Sequence, residues 1–233
     1  MPDKHLSTQF DSELSAISSH VMAMGGLVES QIRQAIYALS RFSREAAEQV
    51  SANEVRVNAM ELQIDHALSN IIARRQPTAR DLRLLIAISK TTANLERAGD
   101  EAKKMARMVC SIIQSGSADS LPALELRAAA DMASALLNKA LDAFARLDVQ
   151  AALSILKEDD LIDREFAAFV QKLVSSMAAD PRSIAASLDL LFMGKAIERI
   201  GDHAKNIAEF TIYVVRGADV RHASMASIES VLR

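Results

Sequence analysis

The chain has 233 residues, half of them hydrophobic and 24% charged, with a net charge of −3. That is enough for a sizeable core, as one large domain or two small ones, and the composition excludes a disordered or fibrous chain. Seven Gly, four Pro and 4% aromatics leave few turn residues. The chain must therefore run in a few long elements, which points to helices, because an all-β chain of this length needs many more turns.

No Lys/Arg block occurs, which speaks against general nucleic-acid binding. The opening Met1-Pro2-Asp3-Lys4 has no apolar h-region, and no run of about 18 apolar residues follows anywhere, so neither a secretory signal nor a spanning helix is expected. The lone Cys110 rules out an intramolecular disulfide and fits a reducing compartment. Its neighbours Met108, Val109 and Ile112 suggest a buried thiol, with no close cation to activate it.

The first helix is expected over residues 6–42. Phe10, Leu14, Ile17, Val21, Met24 and Val28 alternate spacings of four and three, a heptad seam that Ala35 and Phe42 continue. Gly25-Gly26 interrupts it and is a candidate bend. A second helix over 44–75 stops at Gln76-Pro77. Thr78 is the expected N-cap of a third helix, with Asp81 in its first turn, and that helix reaches residue 114. The breaker-rich run Ser115 to Pro122 marks the boundary between halves.

The second half repeats the plan. A fourth helix covers 123–146, Leu147-Asp148 makes a turn, and a fifth runs to 179. Asp180 caps a sixth, with Pro181 at its first position, and Gly217 ends it before a short tail. Leu95-Glu96-Arg97-Ala98-Gly99-Asp100 matches Ile197-Glu198-Arg199-Ile200-Gly201-Asp202, and Pro77 matches Pro181. Glu54-Val55-Arg56-Val57-Asn58 aligns with Asp159-Asp160-Leu161-Ile162-Asp163 at nearly constant spacing. The expected fold is all-α: two tandem three-helix bundles, six long helices related by internal duplication, placed end to end. The units are 1–115 and 120–217, with a C-terminal tail over 218–233.

The third helix carries the stripe Leu85, Ile88, Thr92, Leu95, Gly99, Ala102, Ala106, Val109, and the sixth carries Leu190, Gly194, Ile197, Gly201, Ala204, Ala208. Mid-helix Gly costs about 1 kcal/mol relative to Ala, so its recurrence at Gly99 and Gly201 implies close helix packing. Beside each stripe lie Glu96, Asp100, Lys103 and Glu198, Asp202, Lys205. Carboxylates four apart share a face and repel, which calls for a cation, from the lysine three residues on or from a metal. In an antiparallel hairpin Glu54 and Asn58 come level with Glu96 and Asp100, and Asp159 and Asp163 with Glu198 and Asp202. Glu61…Asp65 fits the spacing but lies nearer the turn and ranks lower. Oxygen-only clusters suit hard cations such as Mg, Ca or Mn, and carboxylate-bridged iron. A solvated, salt-bridged acidic face is the alternative reading. Ferritin-like chemistry needs Glu-x-x-His, which does not occur; the other histidines (His5, His20, His66, His222) are scattered, and no phosphate loop, zinc spacing or nucleophile elbow is present, so an enzyme is not expected.

These residues resemble the PhoU family of phosphate-specific transport system accessory proteins over nearly the whole chain. The marks are Met24 to Glu29, Arg74 to Thr78 with Asp81-Leu82-Arg83, Glu96 to Asp100, Glu198 to Ile207, and Gly217 to His222. The resemblance implies paired three-helix bundles, usually dimerising. It implies a cytoplasmic negative regulator of the phosphate-starvation response, linking the phosphate ABC transporter ATPase to a phosphate-sensing histidine kinase and meeting the membrane only through these partners. It also implies metal clusters (Mg, Mn, Fe or Zn) at Glu96/Asp100, Asp159/Asp163, Glu198/Asp202 and Glu54/Asn58. Asn58 stands where the family pattern has Asp, so weaker or absent metal is expected in the first half. Arg97, Arg199, Lys103 and Lys205, beside the motifs, are candidates for partner docking. The alternative function is a carboxylate-cluster metal-binding or storage protein.

Overall fold

The computed structural model describes residues 8–116 and 123–232, so most of the breaker-rich linker lies outside the described residues. Six long helices follow the order read from the sequence: α1 Thr8–Arg41, α2 Arg44–Arg75, α3 Ala79–Ser115, α4 Ala123–Arg146, α5 Val149–Ala179 and α6 Ile184–Arg216. A 3-10 turn, Pro181–Ser183, leads into α6. Among the described residues there is no strand, and no helix is long and apolar enough to cross a membrane.

The duplication extends into the turns. Phe42 and Leu147 both take a left-handed conformation, with φ of 47° and 53°. The next residues, Ser43 and Asp148, cap the following helices: Ser43 Oγ accepts from Ala46 N, and an Asp148 carboxylate oxygen accepts from Gln150 N and Ala151 N. Each cap N–H also reaches back to the preceding helix, Ser43 N to Ala38 O and Asp148 N to Ala143 O, as expected of a chain leaving a helix through the left-handed region. Phe42 therefore terminates α1 rather than extending its seam. Asp180 accepts from Arg182 N with Pro181 at the first position of the turn, as the sequence indicates, while Thr78 makes no side-chain cap. Gly116 and Gly217 close α3 and α6 with φ of 68° and 74°, and the Arg83 guanidinium lies over Gly217.

α1, α2 and α3 pack on one another, as do α4, α5 and α6, and every residue of the two small-residue stripes is buried. The bundles are not placed end to end. They lie side by side, with α3 along α6 as the most extensive helix pair and α1 along α4, and one apolar core runs through both. Apolar surface exposed on two sides of each bundle drives this, since burial is worth roughly 1.5–3 kcal/mol per large aliphatic side chain. The pairs Lys90–Phe210, Asn94–Asn206 and Glu101–Arg199 step in opposite chain directions, so α3 and α6 are antiparallel, and this register sets Gly99 level with Gly201.

α1 runs unbroken through Gly25-Gly26. A Cβ on Gly25 would lie 2.8 Å from Leu141 Cδ1, so this glycine allows α4 to approach, whereas Gly26 faces open space. The tail contains a helix the sequence reading omits, α7 Met225–Leu232. Eight residues are too few to hold a helix in isolation. Packing of Ile228 and Leu232 against the core holds it, with Arg216 donating to Leu232 O.

Candidate functional site

The site lies where α2 faces α3 in the first bundle and α5 faces α6 in the second, at the two glycines. A Cβ on Gly99 would meet Gln31 Oε1 at 3.1 Å and Glu54 Oε2 at 3.4 Å; one on Gly201 would meet Ile162 Cδ1 at 2.9 Å and Asp159 Oδ1 at 3.4 Å. The absent side chains make room for an acid on the neighbouring helix. Glu54 and Asp159 are accordingly buried, each 2% exposed.

The two halves then treat that buried acid differently. In the first, Glu54, Glu96 and Asp100 each bring an oxygen within 4.8 Å of the others. Gln31, on the heptad seam of α1, donates to Glu54 Oε2 at 2.9 Å and to Val50 O at 3.2 Å. Glu54 Oε1 is buried with no hydrogen-bond partner. Burial, then the Asp100, Glu61 and Glu54 charges, raises the Glu96 carboxyl above its ordinary value against the pull of Arg97. Burial raises Glu61 likewise, with Asp65, Asp100 and Glu54 adding to it. Lys103 makes no ion pair among the described residues.

In the second half the cluster carries its own cation. Lys205 Nζ donates to Asp159 Oδ2 at 2.8 Å, and that bond, ahead of the opposing burial, raises the lysine. Lys195 bonds Glu198 and lies 5.8 Å from the centroid of the Phe166 ring. Burial first, then neighbouring carboxylates including Asp159 and Glu198, raises Asp163 and Asp202, with Lys205 opposing in both. The halves are unequal in charge balance. The first half closes three carboxylates with no internal cation; the second is already bridged.

Asn58 is exposed. The residue that reaches the first cluster electrostatically is Glu61, which the sequence reading ranked lower. Seven residues from Glu54, it returns to the same helix face after two turns, although it lies nearer the turn than the level pair. Gln31 was also missed. It is the polar break in the heptad seam between Val28 and Ala35, a pattern that in packed helices marks a residue with a specific partner.

Oxygen ligands, a buried carboxylate oxygen without a donor and repelling neighbours fit a hard divalent cation at Glu54, Glu96 and Asp100. At Asp159 a metal would have to displace Lys205.

Both motifs meet in one groove between α3 and α6, of about 510 Å³, lined by Arg97, Asp100, Glu101, Lys104, Arg199, Asp202, His203 and Asn206. Glu101 is held by Lys104 at 2.8 Å and by Arg199 at 3.3 Å. Asn94 Oδ1 accepts from Asn206 Nδ2 and lies 3.0 Å from His203 Nδ1, so the proton of neutral His203 sits on Nδ1. Burial, with Arg97, Arg199 and Lys104 adding to it against the pull of Glu101, lowers the His203 pKa to about 4. Of the proposed docking cations, Arg97 and Arg199 line this groove, Lys205 is engaged with Asp159, and Lys103 lies apart from it. Cys110 is half-buried beside the core.

The PhoU domain family model matches the chain twice, over residues 21–109 and 126–211. The chain is 48% identical over 225 residues to the phosphate-specific transport system accessory protein PhoU homolog of Burkholderia sp, covering 96% of each chain. It is 42% identical over 231 residues to the PhoU protein of Escherichia coli K12, covering 99% of this chain and 95% of that one. The crystal structure of PhoU from Pseudomonas aeruginosa superposes with a TM-score of 0.87 at 44% identity, covering 90% of this chain and 100% of that one. PhoU from Streptococcus pneumoniae gives 0.83 at 26% identity, covering 91% of this chain and 99% of that one. With two copies of the fold, two copies of the motif and near full-length relatives, the chain belongs to the PhoU family.

Proposed function

We propose that this protein is a cytoplasmic, non-catalytic adaptor that represses the phosphate-starvation response by coupling the phosphate ABC transporter to a phosphate-sensing histidine kinase. The observation that carries this is family membership over nearly the whole chain, with relatives named as accessory proteins of a phosphate-specific transport system. When phosphate is plentiful the adaptor engages the transporter's ATPase and holds the kinase in its phosphatase-competent state. The α3–α6 groove, with Arg97 and Arg199 beside Asp100 and Asp202, is the docking surface, and the protein acts as a homodimer. The two bundle units take residues 1–115 and 120–217, with the tail over 218–233. Deletion is expected to derepress phosphate-starvation genes in phosphate-rich medium; normal repression in the deletion strain would refute the role.

A second reading, a carboxylate-cluster metal-binding or storage protein, is favoured by the unpartnered Glu54 Oε1 beside Glu96 and Asp100. Those residues would hold Mg, Mn, Fe or Zn, and the ion would supply the charge that screens the cluster. Elemental analysis of the purified protein separates the readings when combined with the genetic test. Metal-dependent oxidase turnover together with unaltered repression would favour storage.

A further inference from the structure

The face formed by α1 and α4 carries a second polar feature, remote from the motifs. A cleft of about 340 Å³ between these helices is lined by Arg33, Arg41 and Arg127, with Tyr37, Ser40 and Asp131. Its lining is mainly cationic, unlike those of two other clefts. The α3–α6 groove sets three carboxylates against Arg97, Lys104 and Arg199, and a cleft between α4 and α5 sets Asp142, Asp148 and Glu158 against Lys139 and Arg146. A cationic concentration on a chain of net charge −3 runs against its overall balance.

The cations differ in how far they are engaged. Arg41 makes no ion pair among the described residues, and the Tyr37 hydroxyl has no partner there, with the residue 57% exposed. Arg127 lies 3.8 Å from Asp131, too long for a good charge-assisted bond, and both are well exposed. Arg33 is held by Glu29 on its own helix at 3.0 Å. The duplication does not require this arrangement. Aligning the turns at Phe42 and Leu147 puts Asn138, Asp142 and Arg146 at the places of Arg33, Tyr37 and Arg41.

We propose that this cleft binds a phosphate dianion, as free orthophosphate or as the terminal group of a small phosphate monoester. Three guanidiniums opposed by Asp131 in the cleft and by Glu29 beside Arg33 leave one net positive charge, which attracts a phosphate group carrying about −1.5 to −2 at neutral pH. Guanidinium N–H forks suit a tetrahedral oxyanion and stay protonated at all relevant pH. The Tyr37 hydroxyl adds a neutral donor. The volume sits at the small end of the roughly 300–1,000 Å³ usual for ligand clefts, which favours a small ligand. The proposal goes beyond the adaptor role and does not depend on it.

The test is calorimetric titration of the full-length protein with sodium orthophosphate and, separately, with adenosine 5′-monophosphate, in low-salt buffer. Binding is expected for at least one, weakening with added salt. Tighter binding of the nucleotide identifies an organic monoester as the ligand, and equal or weaker binding identifies orthophosphate. The double variant Arg41→Gln/Arg127→Gln, checked by circular dichroism, is expected to bind at least about tenfold more weakly. Asp131→Asn is expected to bind more tightly, a gain that misfolding cannot mimic. No binding of either anion, binding unchanged in the double variant, or no gain in Asp131→Asn would each overturn the proposal.

Discussion

The duplication provides an internal control for Lys205. In Lys205→Met the carboxylate of Asp159, whose side chain is 3% exposed, loses the ammonium 2.8 Å away. Removing one partner of a buried ion pair costs about 3–5 kcal/mol, because the remaining charge is stranded. The lysine side chain is 38% exposed, so solvent already screens part of the attraction and the expected cost falls to about 2–3 kcal/mol. For a chain of this size that lowers Tm by about 4–12 °C. Lys103→Met, at the equivalent place in α3, removes a lysine that makes no ion pair among the described residues and is expected to leave Tm nearly unchanged. Thermal melts of both variants, with and without Mn²⁺, decide the matter. Mn²⁺ is expected to restore part of the stability of Lys205→Met by replacing the lost cation among Asp159, Asp163, Glu198 and Asp202. Equal melting of Lys205→Met and the wild type, or equal losses in the two variants, would refute the assignment of Lys205 as the cluster's own cation.

Three further outcomes are expected. In α1, Gly26→Ala fills open space and gains up to about 1 kcal/mol of helix propensity, while Gly25→Ala drives a methyl onto Leu141 and costs about 1–2 kcal/mol net; chemical denaturation of both variants tests this. The raised Glu96 and Glu61 make the native state hold protons more tightly than the unfolded chain, so stability falls as pH rises through their raised values and stays reduced at neutrality. The rise in Tm produced by Mn²⁺ should therefore be larger near about pH 7.5 than near about pH 5, and absent in Glu54→Gln. His203, lowered from 6.5 to about 4, has the opposite sign: stability present above its unfolded value is lost as pH falls toward about 4. The loss is at most about 3 kcal/mol, and denaturation at several pH values should show a shallower slope in His203→Gln.

Much of this was written in local pattern. The seam of Phe10, Leu14, Ile17, Val21, Met24 and Val28 is buried throughout, and the breaks at Pro77, Asp180-Pro181 and Gly217 fall at the observed helix ends. Those features depend on periodicity and backbone chemistry, which act over a few residues. The short α7 was not legible, because its stability comes from Ile228 and Leu232 meeting a core assembled from distant segments. Nor was the role of Gly25, whose reason is Leu141 on another helix.

The site divides in the same way. The repeated Glu-Arg-x-Gly-Asp motif is a matter of sequence, and so is the pairing of each copy with acids on the preceding helix, since helix rise and turn position set which residues come level. Which half is short of positive charge is not. A single substitution, Asn58, suggests one ranking, but Asn58 is exposed, the Glu61 charge is felt at Glu96, and Lys205 crosses to Asp159. Charge balance depends on which way each side chain turns once helices from both ends of the repeat have packed. The side-by-side placement of the bundles is likewise decided by tertiary structure, because two faces of each bundle are apolar and only the assembled pair buries both.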